Sequence, residues 1–347
     1  MSARSDPAPQ PAHAVVKREL LVRYLDAWAP VALHHARRAT YAQAGPDAQA
    51  GPVAPGEGPA AAALRVFGEF PELLARHRLA VVVTGVAEDA APAVAAGLAE
   101  VLTEVGSPPG LSHQVTSGPL AATLRAAGAL DGPLFAYVDA AGGSPPAFDE
   151  LAALAAGRRT ELLLAVDPTA VAALATGSPG GRAPRPGPHA EPPAPAVPAV
   201  GLVRAALGRA GLPHVACVEL VDAAGSGQLL LFATGSVKHL ATFKEAMWAV
   251  DEYAGVRYRD PTDPDRALLD ISLRPPLGPL KRQLLLHLEA GPCTVDQLRD
   301  FALGQTVYRA ADVPAAVTSL LGAGALTRDP ARGRLTAQTV IGSRRTA

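Results

Sequence analysis

Cysteine, methionine and tryptophan are scarce in this 347-residue chain, with two of each, and one methionine is the initiator. Cys217 and Cys293 stand in unrelated apolar contexts with no metal-ligand spacing around them, and read as small buried hydrophobes. Aromatic residues make up only 4% of the sequence, so its core must rest on Leu, Val and Ala. No uninterrupted apolar run reaches the roughly 20 residues a membrane span requires. The polar, Pro-rich start, MSARSDPAPQPAHA, has no apolar segment of the kind a secretory signal carries. Residues 1–14 therefore read as a disordered tail, and the expected location is the cytoplasm. The motifs GxxxxGK[ST], GxSxG and HExxH are all missing, which removes the simplest nucleotide, serine-hydrolase and zinc-protease readings. His34 and His35 are adjacent on a predicted helix and so point in different directions, with no third ligand placed by spacing. No metal is expected.

Neither sign of charge dominates, but the distribution is uneven. Residues 274–347 hold ten Lys/Arg against five Asp/Glu, while the rest of the chain holds 21 against 27. A basic C-terminal part on an acidic body suggests an anionic partner for that part; a neutral solvated surface is the alternative.

The length suggests two domains. Leu21, Leu25 and Trp28 recur at helical spacing from Lys17, with Pro30 ending or kinking that helix. A short strand is expected at 39–42, then a Gly/Pro-rich loop over 45–58. The runs LAVVVTG (79–85), PLFAYVD (133–139) and TELLLAV (160–166) fit strands buried on both faces of a parallel sheet, with a shorter strand at 115–117. Helical stretches at 60–67, 91–105, 120–127, 148–156 and 200–210 alternate with them. The implied fold is α/β, a doubly wound sheet. HVACVELVD (214–222) and GQLLLFAT (227–234) read as a hairpin forming its antiparallel edge. Residues 179–198 hold eight prolines and read as a flexible insertion. Beyond residue 272 three short helices, around 280–288, 295–302 and 313–321, precede a basic hairpin in GALTRDPARGRLTA. That is a winged helix-turn-helix pattern. The expected domains are 15–272 and 273–347.

Met247 and Trp248, half of the chain's rare Met and Trp, sit side by side in the stretch FATGSVKHLATFKEAMWAVD (232–251). On the helix there, Leu240, Phe243, Met247 and Val250 share one face, and Lys244, Trp248 and Asp251 a neighbouring one. Two roles fit the second set. Trp248 fills a seam between the sheet and the C-terminal module, or Lys244 and Trp248 present a cation and a flat ring to a base. In the C-terminal module the exposed side of the third helix offers Arg309, Thr318 and Ser319, and the hairpin offers Arg328, Arg332 and Arg334, as contacts for phosphate. Arg344 and Arg345 would add nonspecific attraction.

That stretch, together with ELLVRYLDAWAPV (19–31) and TVDQLRDFALGQTVYRAADVPAAVTSLLGAGAL (294–326), resembles the three-Cys-motif partner proteins, TcmP. This is a bacterial family with a methyltransferase-like α/β domain and a C-terminal winged helix. The similarity is spread over about residues 17–326. It implies that domain plan and a partner protein bearing three closely spaced cysteines. It also implies an S-adenosylmethionine site at the sheet's mouth, from a glycine turn at Gly45 and Pro46, an acid at Glu88 or Asp89, and Asp139 as catalytic or substrate-binding acid. The sequence departs from the family there. Where the family has Tyr-Val-Asp before a Phe-Ala-Gly-Pro-Gly turn, this chain reads from Tyr41 through Gln43 to Asp47. The later Asp-Pro-Phe/Tyr-Gly turn survives as Asp139 to Gly142, and no acid falls near Ser117 and Gly118. A carboxylate at Asp47 would repel the donor's own carboxylate. Asp139 and Asp167 alternatively cap the turns that follow their strands.

The expected function is a partner protein with a degenerate methyltransferase-like domain, without a cofactor, acting as a nucleic-acid-associated binding or adaptor component. The alternatives are an active S-adenosylmethionine-dependent nucleic-acid methyltransferase and a winged-helix transcription regulator.

Overall fold

The computed structural model describes residues 12–45, 57–176, 197–251 and 255–344. Pro46, Asp47, Arg345 and the expected tail and insertion, except residues 12–14 and 197–198, lie outside the described residues. Those five residues are helical and begin the helices that follow.

The chain opens with α1 (Ala12–His35). Pro30 does not end it. A proline removes the hydrogen bond to the carbonyl four residues back, here that of Asp26, which is exposed. Ala32 and Leu33 beyond it are buried and hold the helix on the core. Strand β1 (Arg38–Ala44), helices α2 (Pro59–Gly68) and α3 (Pro71–Leu74), β2 (Arg78–Thr84), α4 (Ala91–Glu104) and β3 (Leu111–Val115) follow. The third strand thus begins earlier than the expected 115–117 and shares only Val115 with it. Its burial alternates along its length, as at a sheet edge, so it lacks the continuous apolar run that marks inner strands. Next come α5 (Leu120–Ala126), β4 (Pro133–Asp139), α6 (Phe148–Ala155), β5 (Arg159–Val166), α7 (Val171–Thr176), α8 (Val197–Arg209), β6 (His214–Asp222), β7 (Gly227–Thr234) and α9 (Val237–Trp248).

These strands join β8 (Val256–Arg259) and β9 (Leu268–Leu269) in a nine-stranded sheet of order β3-β2-β1-β4-β5-β7-β6-β8-β9. Strands β1 to β5 pair in parallel, and β7 runs antiparallel to both β5 and β6. The β6–β7 hairpin is therefore not the edge. It is inserted beside β5, and β8 and β9, too short to announce themselves in the sequence, form the edge. The result is a mixed α/β fold with a large, mostly parallel sheet flanked by helices, compatible with a Rossmann-like plan.

Alternation along each strand divides the core in two. Tyr41, Phe135, Tyr137 and Phe232 face α1, α2 and α9, whereas Ala42, Ala136, Val138 and Leu231 face α5, α6 and α8. The few aromatic residues are concentrated on the first face. Phe232 stacks on Phe243 at 4.2 Å between ring centroids, and Tyr24 touches Phe135, Phe232 and Phe243. Among the described residues, no helix is long and apolar enough to cross a membrane.

The C-terminal part comprises α10 (Gly278–His287), β10 (Cys293–Thr294), α11 (Val295–Gln305), α12 (Val313–Gly322), β11 (Leu326–Asp329) and β12 (Val340–Ser343). Thr294 and Gln297 cap α11 reciprocally. The small sheet has order β10-β12-β11. The return strand is thus 340–343 rather than a piece of 324–337. Its apolar core is continuous with the first face of the large sheet.

Candidate functional site

In an open α/β sheet ligands bind beyond the carboxyl ends of the strands, where the strand order reverses. Here that point lies between β1 and β4. Gly45, at the end of β1, has a φ of 133° and passes so close to β4 that a Cβ there would lie 1.9 Å from the carbonyl oxygen of Asp139. Asp139 itself is 2% exposed. Its Oδ2 pairs with the ammonium of Lys17, which reaches in from α1, and accepts from the Tyr137 hydroxyl at 2.8 Å. Its Oδ1 accepts from the Ala141 N–H at 3.1 Å. Three donors therefore occupy this carboxylate. Asp167 accepts from the Gly142 N–H at 3.0 Å, tying down the same turn. Glu88 and Asp89 are exposed in the turn after β2. The crevice brings Gly45 and Asp139 together and fills it with Lys17, a residue the sequence marked only as the start of a helix.

Lys244 and Trp248 are buried in the seam between α9 and the C-terminal part, so neither faces a nucleic acid. The Lys244 ammonium donates to the carbonyls of Ala302 at 3.0 Å, Leu303 at 2.5 Å, Thr306 at 2.7 Å and Tyr308 at 2.8 Å. These lie at and just beyond the last turn of α11, whose end carries orphan acceptors and partial negative charge. Arg204 joins them, donating to Gly304 O at 2.9 Å. Burial pushes the Lys244 ammonium down to about 7, the Arg204 charge adds to the shift, and Asp260 and Asp312 oppose it. The Trp248 indole donates to Val307 O at 3.0 Å and stacks on Tyr308. Asp251 is exposed, and its N–H donates to Glu19 at 3.0 Å.

Arg309 is committed elsewhere as well. It bonds both oxygens of Asp312, Glu245 at 3.1 Å and Leu273 O at 2.9 Å, and its side chain is 13% exposed. The expectation that Arg309 reads nucleic acid is therefore corrected: the Asp three residues on and Glu245 of α9 hold it inward. Thr318 is exposed and turns its hydroxyl back onto Pro314 O at 2.7 Å; Ser319 beside it is exposed too. Arg328 bonds the carbonyls of Pro330 and Arg334. Arg332 and Arg334 are exposed.

The opposite, amino end of the sheet holds a cavity of about 360 Å³ between α1, the start of β5 and the start of α9. Glu161, 4% exposed, accepts there from the Tyr24 hydroxyl with one oxygen and bonds His239 Nδ1 with the other. The hydrogen bond to Glu161 raises the His239 pKa against the opposing effect of burial. The Tyr24 hydroxyl is held well above its ordinary value by burial and by the Glu161 charge, and stays neutral. None of these residues stood out in the sequence as a site. The usable signal was an acid inside the apolar run TELLLAV, since an inner strand tolerates a carboxylate only with partners. No family model matches this chain, and no curated protein matches it.

Proposed function

We propose that this chain is a binding or adaptor component of the three-Cys-motif-partner kind, with a methyltransferase-like sheet that no longer holds an adenosyl donor. The observation that carries this reading is the buried Lys17–Asp139 pair at the β1/β4 switch point. Lys17 occupies the crevice beside Asp139 and holds that acid in an ion pair. Asp139 already accepts from three protein donors. The antiparallel β7 between β5 and β6 supports the methyltransferase-like origin of the sheet. The helices and three-stranded sheet after residue 277 support a winged helix, welded to the body through Lys244 and Trp248. Nucleic acid is the proposed anionic partner, contacted through exposed Arg332 and Arg334 with little sequence preference, because α12 exposes the small residues Ala315, Thr318 and Ser319.

Calorimetric titration with S-adenosylmethionine tests the first half. No binding is expected, and micromolar affinity would favour the rival reading, an active methyltransferase using Asp139 with Glu88 or Asp89. Duplex binding across a salt series tests the second half. Weak, salt-sensitive binding that drops when Arg332 and Arg334 become Ala is expected. Strong sequence preference would point to a transcription regulator instead.

A further inference from the structure

The cavity at the amino end of the sheet is not used by that reading. Its volume falls in the range of small-molecule sites, roughly 300–1,000 Å³. One wall is apolar, from Trp28 and Val31 of α1. The other is built for negative charge. Exposed Arg158 and Arg159 stand at the start of β5, and among the described residues neither meets a carboxylate; Arg159 donates only to the His35 carbonyl, at 3.2 Å. Ser236, which caps α9, and His239 of its first turn also line the cavity. His239 gives Nδ1 to Glu161, which leaves Nε2 for a ligand. A further polar group is buried here without a partner. Thr160, 3% exposed, lines the cavity, and its hydroxyl has no partner among the described residues. It faces the bare α-carbon of Gly157, another wall residue, where a Cβ would come within 2.4 Å of that oxygen.

We propose that this cavity binds a small phosphomonoester, with its phosphate between Arg158, Arg159 and the start of α9 and its organic part against Trp28 and Val31. The charge balance selects the ligand. Where His239 is protonated its charge offsets that of Glu161, and the two arginines remain to meet a phosphate of charge near −2. Tyr24 is neutral, and His35 is the other titratable group facing the site. The proposal concerns the end of the sheet opposite the adenosyl question and does not depend on its answer.

Adenosine 5′-monophosphate, adenosine and inorganic phosphate serve as probes on the full chain. The chain has two tryptophans, so two indole N–H resonances report binding, assigned with Trp28→Phe. Trp28 lines the cavity, and Trp248, hydrogen-bonded to Val307 O, is the internal control. The monophosphate should shift the Trp28 signal saturably and leave Trp248 still. It should bind better than either adenosine or inorganic phosphate. Arg158→Gln with Arg159→Gln should weaken it at least about tenfold, while Arg332→Ala with Arg334→Ala should change nothing. His239→Gln should weaken it below the raised imidazole pKa and remove the loss of binding otherwise expected as pH rises through that value. The proposal is overturned if the Trp28 signal is unmoved at about 10 mM probe. It also fails if adenosine or inorganic phosphate binds as tightly as the monophosphate, or if the Arg158/Arg159 variant binds like the parent.

Discussion

At the carboxyl end of the sheet a buried carboxylate meets a buried ammonium; at the amino end a buried carboxylate meets a half-buried imidazole beside open space. One helix serves both. Lys17 and Tyr24 lie seven residues apart on α1, about 10 Å along its axis on a single stripe, so the helix spans the sheet and delivers a donor to each end. The difference is in what remains after pairing. Asp139 takes Lys17, Tyr137 and the Ala141 amide, and both members of the ion pair are buried. Glu161 takes Tyr24 and His239, but His239 keeps a nitrogen and borders a cavity. A buried acid is therefore a poor marker of a site by itself. Whether its partner borders open space decides.

The comparison breaks most visibly at Lys17. Lys17→Met leaves Asp139 buried beside a hydrocarbon and should cost about 3–5 kcal/mol of stability, read from urea unfolding at neutral pH. Combining it with Asp139→Leu should recover much of that loss, since removing both charges removes the uncompensated one. A single-variant loss under about 1 kcal/mol would mean that the pair does not hold this end shut. Glu161→Gln at the other end should cost less, about 1–3 kcal/mol, because Tyr24 keeps an acceptor in the amide oxygen and His239 is half in water. It should also raise the accessibility of His239 to chemical modification, and an unchanged imidazole would show that Glu161 does not orient it.

The sign of a pH dependence separates the two ends further. The folded-state pKa of His239 is raised above its ordinary 6.5. Its pairing with Glu161 therefore contributes stability that is fully present below 6.5 and is lost as pH rises through the folded value. With the side chain 34% exposed, the effect should stay below about 1 kcal/mol. The stability difference between the parent and His239→Gln should shrink over that window. A difference that grows with pH would contradict the pairing.

What the sequence made legible follows from range. LAVVVTG, PLFAYVD and TELLLAV announce inner strands because burial on both faces demands an uninterrupted apolar run, and each became one. Strands β8 and β9 carry two to four residues and no such run, so they were invisible. The seam was readable from Trp248, since a rare large ring at helical spacing has to fill something. What Lys244 does there was not, because its acceptors are backbone carbonyls about sixty residues away and carbonyls leave no trace in a sequence. Lys17 with Asp139, and Tyr24 with Glu161 and His239, are pairings across 78 to 137 positions. No local periodicity carries them. Arg309 misled for a different reason: an arginine preceding a helix looks exposed, but Asp312, only three residues on, holds it inward together with Glu245 of α9.

The smallest expected effect on stability is at Arg158 and Arg159, and that is its value. Both are exposed, and among the described residues neither forms an ion pair, so removing them deletes no folded-state contact beyond one bond to a carbonyl. Changing both to Gln should move the unfolding free energy by no more than about 0.5 kcal/mol. The direction should be toward greater stability at low salt, because the two cations border one cavity. Added salt should erase the gain by screening. A loss larger than about 1 kcal/mol would make these arginines part of the fold's scaffolding and would put the amino end on the same footing as the sealed carboxyl end. A neutral or favourable change leaves like charge gathered at a cavity mouth for a reason other than folding, which is the condition a ligand site has to meet.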